Sequence, residues 1–363
     1  MKKAAGRDAC IMTIGMDLGN RKHSVCGLDA DGNKVLECEV ENTREALAAF
    51  FGEHAGARVG METGTHCRWI SALAAACGCD AKVADARSLG IVYGSRRKND
   101  RVDAEKLARV LKLDPRLFHP VKLRDDRRHH LLQLLKPRDG MVSCRTLMVN
   151  KVRGLCKARG VFLRKCDAGS FASWARAELP EGLKAVFGPL LDALESAGAA
   201  IKAYDAQIGE AVVAGYGEDA GLLRSIPAVG PVTAAAFIAV AGDVTRYRRP
   251  RDAGAYLGLA PGQDQSGDSD APRPITKEGD ALVRRLLVNA ANHILRKNSA
   301  DSPLKRFGER LCGKGGKIAR RKAKVALARK LAVVMAALLT TRRPYENPFA
   351  GKDGAKDGTE GAA

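Results

Sequence analysis

Aromatic residues and long apolar runs are both scarce in this chain of 363 residues. Phe, Trp and Tyr together make up 5% of it. No apolar run approaches the roughly 20 residues that a membrane-spanning helix needs, and no secretory signal pattern precedes the first strand. A membrane-surface helix with aromatic anchors is also disfavoured. These absences predict a cytoplasmic protein without a membrane partner.

Paired cysteine motifs are missing as well. The chain has ten cysteines, but none forms a Cys-x-x-Cys pair, and the closest two are Cys77 and Cys79. No second pair or suitably spaced histidine completes a zinc site around them. We interpret the cysteines as small, buried apolar residues in a reducing compartment, where disulfides are rare.

Positive charge, in contrast, is abundant. Lys and Arg number 61 against 41 Asp and Glu, which gives a formal net charge of +20. An excess of this size usually matches a polyanion, and nucleic acid is the commonest one. The composition therefore predicts a nucleic-acid-binding protein, associated with the nucleoid in the cytoplasm.

Four acidic residues are candidates for a metal site. Asp17 and Glu62 each end a predicted strand, whereas Asp100 and Asp103 lie one turn apart on one face of a helix start. Singly, each could be a turn residue, a helix cap or a first-turn acid, and segment 15–20 also resembles the phosphate loop of actin-like folds. Four carboxylates together repel one another unless a cation joins them, and an oxygen-only set suits Mg²⁺ or Mn²⁺. In a basic chain such a pocket indicates metal-assisted chemistry on a phosphodiester.

The hydrophobic pattern predicts an α/β domain followed by helices. Through residue 85 the order is strand–strand–strand–helix–strand–helix–strand, which is typical of a mixed sheet covered by helices. The predicted elements are strands 11–17, 23–29, 33–40, 57–62 and 80–85 and helices 43–54, 67–78 and 101–113. Active residues of such sheets collect at strand ends, where Asp17 and Glu62 fall.

The chain changes character after residue 121, where Leu, Ala, Lys and Arg dominate. Breaks are predicted at Pro137–Gly140 and Leu179–Gly182. The part up to residue 215 is predicted to be a helical spacer that contains a coiled-coil pair used for assembly, and an ordinary helical subdomain is the alternative. The predicted helices are 123–136, 141–159, 188–214, 232–241, 252–259, 278–297 and 317–341. The tail beyond Arg343 is predicted to be disordered.

Two C-terminal segments carry further candidate sites. Residues 226–231, Ile-Pro-Ala-Val-Gly-Pro, precede an Ala-rich helix and resemble a helix–hairpin–helix element, which presents backbone N–H groups to a phosphate around Gly230. A plain Pro/Gly turn between packed helices is the alternative. Ser266 lies in a polar, Gly-rich loop between Pro261 and Pro274, and no Ser/His/Asp spacing accompanies it.

Basic residues are candidate phosphate contacts. The stretch from Lys314 to Lys330 contains eight Lys or Arg and no acid, although a merely solvated basic helix has the same pattern. The candidate nucleic-acid contacts are Gly230, Arg248, Arg249, Lys277, Arg284, Arg285, Arg320, Arg321 and Lys322.

These motifs together resemble the DEDD-type insertion-sequence transposases, a family that includes the Piv-type DNA invertases. The N-terminal marks are Gly15-x-Asp17, Glu62-x-Gly64 and Lys98-x-Asp100-x-x-Asp103-Ala104. The C-terminal marks are Ser225-Ile226-Pro227-x-Val229-Gly230-Pro231, Gly258-Leu259-Ala260-Pro261, Gln265-Ser266-Gly267 and Ile275-Thr276-Lys277-x-Gly279-Asp280. The departures from the family pattern are Asn99 at a usual hydroxyl position, Ala228 at a usual glycine position, and the acidic Asp268 and Asp270 beside the serine.

The resemblance implies a RuvC-like, RNase H-type N-terminal domain whose four acids bind Mg²⁺, and a C-terminal transposase domain with Ser266 as nucleophile. It also implies a recombinase guided by a structured noncoding bridge RNA that pairs with donor and target DNA. The working form would be a homo-oligomer, from dimer to tetramer, in which the acids of one protomer meet the serine of another. We divide the chain accordingly into residues 1–120 (catalytic), 121–215 (spacer), 216–342 (transposase domain) and 343–363 (tail).

Three other functions remain open at this point. A metal-dependent nuclease or junction resolvase would use the same acids with water as nucleophile. An actin-like kinase would need a second phosphate loop and a Gly-rich adenosine motif, and neither is found downstream. An inactive element remnant would bind nucleic acid without cutting it, although all four acids are intact.

Overall fold

The computed structural model describes residues 11–85, 99–263, 265–266, 269–270, 273–313 and 315–349. The chain divides into two compact units, of which unit 1 ends at Leu123 and unit 2 begins at Arg124. The elements of unit 1 are β1 (Thr13–Asp17), β2 (Lys22–Leu28), β3 (Lys34–Glu41), α1 (Arg44–Glu53), β4 (Arg58–Glu62), α2 (Cys67–Ala76), β5 (Asp80–Ala84) and α3 (Asp100–Leu113). Thr43 caps α1, since its side chain accepts a hydrogen bond from the Ala46 N–H.

The sheet of unit 1 has the strand order β3-β2-β1-β4-β5. The first three strands of the chain are antiparallel neighbours, whereas β4 and β5 run parallel to β1 on its other side. Tight turns suffice between the antiparallel strands, while the parallel pair β4 and β5 needs the crossover helix α2. This mixed sheet with covering helices confirms the predicted RNase H-like α/β class.

The two faces of β1 pack against different helices. Ile14 and Met16 are buried with Leu47 of α1 and Ile70 of α2 in one apolar cluster. Gly15 faces the other side, where α3 crosses so closely that a Cβ atom there would overlap backbone atoms of that helix. Because only glycine permits this approach, the motif that precedes Asp17 sets the position of α3 on the sheet.

Unit 2 begins with a long helical arm. Its elements are α4 (Asp126–Lys157), α5 (Phe171–Glu178) and α6 (Glu181–Arg224). Leu135 near the start of α4 packs with Ile208 near the end of α6, and Val152 near the end of α4 packs with Leu191 near the start of α6. The two long helices are therefore antiparallel. The segment is helical as predicted, but its helix ends differ from the predicted ones.

The predicted break at Pro137–Gly140 is wrong, because α4 continues through it. A proline inside a helix removes one hydrogen bond and costs about 3 kcal/mol. Packing against α6 on both sides offsets this cost, and Arg138 adds an ion pair with Asp205 at 2.6 Å. The break occurs instead in α6, where Tyr216 has non-helical backbone angles between two glycines.

The rest of unit 2 is built around one buried, alanine-rich helix, α7 (Pro231–Ala241), and the other elements pack near it. They are α8 (Asp252–Tyr256), α9 (Ala281–Ile294), α10 (Pro303–Cys312) and α11 (Gly316–Thr341), with short strands β6 (Gln265–Ser266) and β7 (Ser269–Asp270). Every residue of α7 from Ala234 to Ala241 is buried. α10 is absent from the predicted elements, although Ser302 caps it with a hydrogen bond from the Lys305 N–H. No helix in the described part of the chain combines the length and apolarity that crossing a bilayer requires.

The prediction of disorder from Arg343 onward is wrong for residues 343–349, which pack on unit 2. The Tyr345 N–H donates to Ser225 Oγ at 2.8 Å, and Asn347 Nδ2 donates to the Asp301 carbonyl at 2.8 Å. The Phe349 ring lies 3.6 Å from the Arg306 guanidinium carbon. The later tail positions lie outside the described residues.

Candidate active site and nucleic-acid interface

Asp17 and Glu62 end neighbouring parallel strands. The register pairs Met16 of β1 with Met61 of β4, so Asp17 and Glu62 are the next residues along two adjacent strands. Adjacent strands lie about 4.8 Å apart. Two acids from segments 45 positions apart in the chain are therefore held as neighbours at one edge of the sheet.

Both acids also point to the same face of the sheet. Gly15 contacts α3, and a Cβ atom at Gly60 would lie 2.8 Å from Leu111 of the same helix. Alternate residues of a strand share a face. Asp17 and Glu62, each two positions further on, therefore face the side on which α3 lies.

The direction of α3 brings its first turn to these acids. Near its end, Lys112 Nζ donates to the Ala30 carbonyl at 2.6 Å. Ala30 lies in the turn between β2 and β3, at the end of the sheet where β1 begins. The middle of α3 packs on Gly15, so the helix runs antiparallel to β1 and starts at the end where Asp17 lies.

Asp100 and Asp103 occupy that first turn. Asn99 is the N-cap, with its side chain accepting from the Arg101 N–H at 3.2 Å, so the alternative that Asp100 caps the helix is wrong. Asp103 is half-buried and accepts a hydrogen bond from Lys106 Nζ at 3.2 Å. Acids in a first turn are also stabilised by the helix dipole.

The four acids supply the oxygen ligands that a divalent cation prefers, but their side chains are not grouped around one point. Four carboxylates without nitrogen or sulfur donors are what Mg²⁺ and Mn²⁺ prefer. Nevertheless, no three His, Cys, Asp or Glu side chains within the described ranges are grouped so that they could hold a metal ion. The backbone thus brings the four acids to one end of the sheet, and binding a cation requires their side chains to turn toward one another.

The turn that follows Asp17 is held by side chains from two other segments. Asn42 Nδ2 donates to the Asn20 carbonyl at 3.0 Å, and a ring nitrogen of His66 lies 3.4 Å from Asn20 Oδ1. These contacts fix the loop between β1 and β2. They therefore support the backbone on which Asp17 is carried.

His23, at the start of β2, is fully buried beside this turn. Neither of its ring nitrogens has a hydrogen-bond partner among the described residues. Its ring centroid lies 6.4 Å from that of His66. Burial lowers the pKa of His23 below its ordinary value and outweighs the nearby Asn42 side chain, which raises it, while His66 adds a smaller lowering, so the neutral imidazole is favoured.

Ser266 lies in a short antiparallel pair inside the polar loop of unit 2. The backbone of β6 pairs with that of β7, with Ser266 opposite Ser269. The Ser266 side chain, together with Gly267 and Asp268, lies outside what the structure describes. The segment between Pro261 and Pro274, predicted as a loop, therefore contains a short antiparallel strand pair.

The base of the serine loop is fixed by the backbone. The Gly262 N–H donates to the Pro274 carbonyl at 3.0 Å, and the Thr276 N–H donates to the Ala260 carbonyl at 3.0 Å. Ser266 is therefore carried by a loop whose two ends are tied together.

Two glycines interlock below this base. Gly258 and Gly279 have φ of +66° and +76°, and a Cβ on either would overlap backbone of the other segment. Arg284 completes the arrangement, because its Nη1 donates to the carbonyls of Leu257, Glu278 and Gly279 at 3.2, 2.6 and 3.0 Å. Arg284, a predicted nucleic-acid contact, thus has a structural role in closing the loop.

Comparison with known proteins gives the family. A family model described as a DEDD-type IS110 transposase matches residues 14–158, which include all four acids. A second, described as the transposase IS116/IS110/IS902 family, matches residues 220–305, which include Gly230 and Ser266. The chain belongs to the IS116/IS110/IS902 transposase family.

Full-length relatives agree with this assignment. The transposase for insertion sequence element IS1111A of Coxiella burnetii is 28% identical over 351 residues, covering 92% of this chain and 91% of its own. A probable family 20 transposase of Pseudomonas aeruginosa is 29% identical over 343 residues, covering 92% and 98%. The transposase for element IS1328 of Yersinia enterocolitica is 26% identical over 294 residues, covering 77% and 83%. The chain is thus an insertion-sequence transposase, of the class that cleaves and transfers DNA strands.

The predicted basic contacts of this transposase fall into two groups. Arg285 forms an ion pair with Asp139, and Arg249 lies 4.0 Å from Asp252, so an acid partly neutralises each of them. The donors of Arg284 are bound to backbone carbonyls. The others are exposed and have no ion pair within the described ranges. They are Arg248, Lys277, Arg320, Arg321 and Lys322.

The segment before α7 is a turn between two helices, as both readings of its sequence predict. Ile226 and Val229 are buried and anchor it to the core, whereas Ala228 and Gly230 are exposed. Gly230 is the N-cap of α7, and no side chain caps that helix. The first N–H groups of a helix lack partners within it, so the backbone here suits an anion.

Sequence reasoning missed two residues beside the acids of the transposase. Lys106 donates to Asp103, and its position three residues later on the same helix face could have indicated this. Ser24 lies directly opposite Asp17 in the antiparallel register. Only the register reveals that neighbour, and no sequence signal fixes it.

Proposed function

We propose that this transposase is an RNA-guided DNA recombinase, in which Asp17, Glu62, Asp100 and Asp103 act together with Ser266. The observation that carries the proposal is the placement of four carboxylates at one end of the unit 1 sheet, two at strand ends and two in the first turn of α3. Family membership supports DNA as the substrate.

The carboxylates would position a scissile phosphate through a divalent cation. Mg²⁺ or Mn²⁺ held by them would neutralise charge that develops on the phosphoryl oxygens. Asp17 and Glu62 supply neighbouring oxygens from rigid strands, while Asp100 and Asp103 close the site from α3. Lys106 then orients Asp103 through its hydrogen bond.

Ser266 would be the nucleophile. Its Oγ attacks phosphorus, the bond from phosphorus to the 3′-oxygen breaks, and the serine proton ends on that 3′-oxygen. The product is a 5′-phosphoserine with a free 3′-hydroxyl, which keeps the bond energy for rejoining. Attack of another 3′-hydroxyl on this phosphoserine restores Ser266 and joins the strands.

Donor and target DNA would be held by positive charge, and a structured bridge RNA would supply the sequence choice. The net charge of +20 supports a polyanionic partner. The exposed cations Arg248, Lys277 and the group Arg320–Lys322 are available for phosphate contacts. Gly230 offers backbone donors at the start of α7.

Trapping of a covalent protein–DNA adduct tests the chemistry. With 5′-labelled and 3′-labelled substrates plus cognate RNA, the wild type should give an adduct on the 5′-phosphate side that survives denaturation. Ser266→Ala should lose the adduct, and Ser269→Ala, its neighbour in the β6–β7 pair, serves as the matched control. Cleavage by Ser266→Ala with a free 5′-phosphate would refute the serine mechanism and favour a RuvC-like nuclease using water.

RNA guidance and oligomerisation have separate tests. Cleavage by RNA-free protein should depend on added RNA from the end of the element, and a change of its pairing segment should move the target site. If an oligomer joins the acids of one protomer to the serine of another, mixing Asp17→Asn with Ser266→Ala should restore activity that neither variant shows alone. Cleavage without added RNA would contradict RNA guidance. If the mixed variants stayed inactive, an active site shared between protomers would be contradicted.

A further inference from the structure

Two adjacent concavities lie on unit 2 beside the hairpin. One, of about 430 Å³, is lined by residues 224–230 and His293. The other, of about 450 Å³, is lined by His293 and residues 296–299. His293 borders both, so the two concavities are adjacent, and together we call them the hairpin groove. Its walls are the hairpin on one side and the end of α9 on the other.

The hairpin groove is strongly basic. Its lining contains Arg224, Arg296 and Lys297, all exposed, and no acidic residue. None of these three cations has an ion pair within the described ranges, although neighbouring arginines of the same unit do, such as Arg306 with Asp301. Three uncompensated charges around one depression create a local positive potential that favours a polyanion.

The neutral part of the lining is exposed backbone. Ala228, at the tip of the hairpin, has φ of +67° and is exposed. A Cβ atom at Gly230 would meet nothing within 4 Å, and its φ of −81° suits any residue. Neither packing nor backbone conformation therefore requires glycine there, and the absence of a side chain leaves room for another molecule to approach the backbone.

Both walls of the groove are braced by the same segment of chain. Tyr345 donates from its N–H to Ser225 on the hairpin wall. Asn347, two residues later, donates to the Asp301 carbonyl, close in sequence to Ser299 on the other wall. The distance between the walls is thus set by ordered structure, so the charges are presented on a preformed surface.

We propose that the hairpin groove binds the sugar–phosphate backbone of a nucleic-acid duplex. Arg224, Arg296 and Lys297 donate to phosphate oxygens, and the lack of a side chain at Gly230 lets the strand approach the hairpin. Phosphate contacts fix register and orientation without reading sequence. This deepens the proposed function, on which it rests for the class of partner, and it adds Arg224, Arg296 and Lys297 to the contact already predicted at Gly230.

Two variants of the full-length protein test the groove. Arg296→Gln combined with Lys297→Gln removes two of its charges. Gly230→Asp places an acid in the groove, yet aspartate is a favoured N-cap and should preserve α7. The control is Arg176→Gln combined with Lys184→Gln, because both of these cations are already ion-paired with acids. Urea unfolding midpoints establish that all variants are folded.

The readout is affinity for a 30-base-pair DNA duplex and for an RNA duplex of the same sequence, each over a series of salt concentrations. For DNA, each lost phosphate contact should lower the slope of log affinity against log salt by about 0.9. The double variant should therefore lose close to two units of slope and bind roughly tenfold or more weakly at low salt, and Gly230→Asp should weaken binding without lowering stability. Loss for DNA alone, RNA alone or both supports the groove and identifies its ligand.

Wild-type affinity and salt slope in both groove variants, with both duplexes, would overturn the proposal. This outcome is distinct from failure of the proposed function. An absent covalent adduct in the wild type would remove the serine mechanism, while the groove is judged by equilibrium binding alone.

Discussion

Replacement of Gly15 by alanine should disturb the acid site without touching an acid. A Cβ atom there would lie well inside 3.0 Å of the Ala104 carbonyl oxygen and the Ala108 nitrogen, and 3.0 Å from the Ala108 Cα. All three are backbone atoms, so no side-chain rotation relieves the overlap, and α3 must move away from β1. Overpacking of this kind costs about 1–3 kcal/mol.

The displacement should reach the first turn of α3, where Asp100 and Asp103 lie. At about 4 °C per kcal/mol, the unfolding temperature of unit 1 should fall by roughly 4–12 °C. Hydrogen exchange measured by mass spectrometry on the whole chain should show faster exchange in β1 and α3 and unchanged exchange in α4 and α6. DNA cleavage should fall more than binding, because the acids are displaced and the basic surfaces are not.

Gly52→Ala is the matched control, because a Cβ there meets nothing within 4 Å. Alanine inside a helix is favoured over glycine by about 0.5–1 kcal/mol, so this variant should be as stable as the wild type or more so. If Gly15→Ala kept wild-type exchange in α3 and wild-type cleavage, the close packing of α3 on β1 would be refuted.

Three further predictions concern stability. Because the pKa of buried His23 is lowered, the unfolded chain binds its proton first, so stability should fall as the pH drops below about 6.5. His23→Gln should flatten this dependence in urea titrations, and an unchanged dependence would contradict the assignment to His23. Ala228→Gly should raise stability by about 0.5–1 kcal/mol, since glycine relieves a positive φ. Ala193→Gly, at an exposed position of helix α6, should lower it by about 1 kcal/mol. Asp280 caps α9 and pairs with Lys136 at 2.7 Å, so Asp280→Ala should cost about 1–2 kcal/mol in a denaturant melt and Asp280→Asn clearly less. Although burial raises the pKa of Asp280, the Lys136 bond and the backbone N–H groups lower it overall, so this contribution is present above pH 4 and should vanish as the pH falls through the lowered value.

The sheet and the position of its acids could be predicted because both follow from local patterns. Short, mainly apolar runs mark these strands, and the strand ends then place Asp17 and Glu62. The pairing of β1 with β4 is not local, so the neighbourhood of the two acids could be predicted only through the fold class. The orientation of α3 likewise depends on the contact at Gly15, for which the sequence offers only a glycine.

Unit 2 departs further from its predictions because tertiary packing overrides local signals there. Pro137 is a helix breaker by propensity, yet burial of α4 against α6 keeps the helix continuous. The segment 343–349 has the composition of a flexible tail, but Tyr345 and Phe349 find partners supplied by distant parts of the chain. The groove cations are scattered in sequence between residues 224 and 297, and only the fold collects them.

The interlocked pair Gly258 and Gly279 has a consequence for genetics. Each glycine is excluded from change by the main chain of the opposing segment, and main-chain atoms are the same whatever residue stands there. A substitution at either position therefore has no compensating substitution at the other. We expect a suppressor screen of Gly258→Ala to return true revertants, and we expect glycine at both positions in relatives that share this packing.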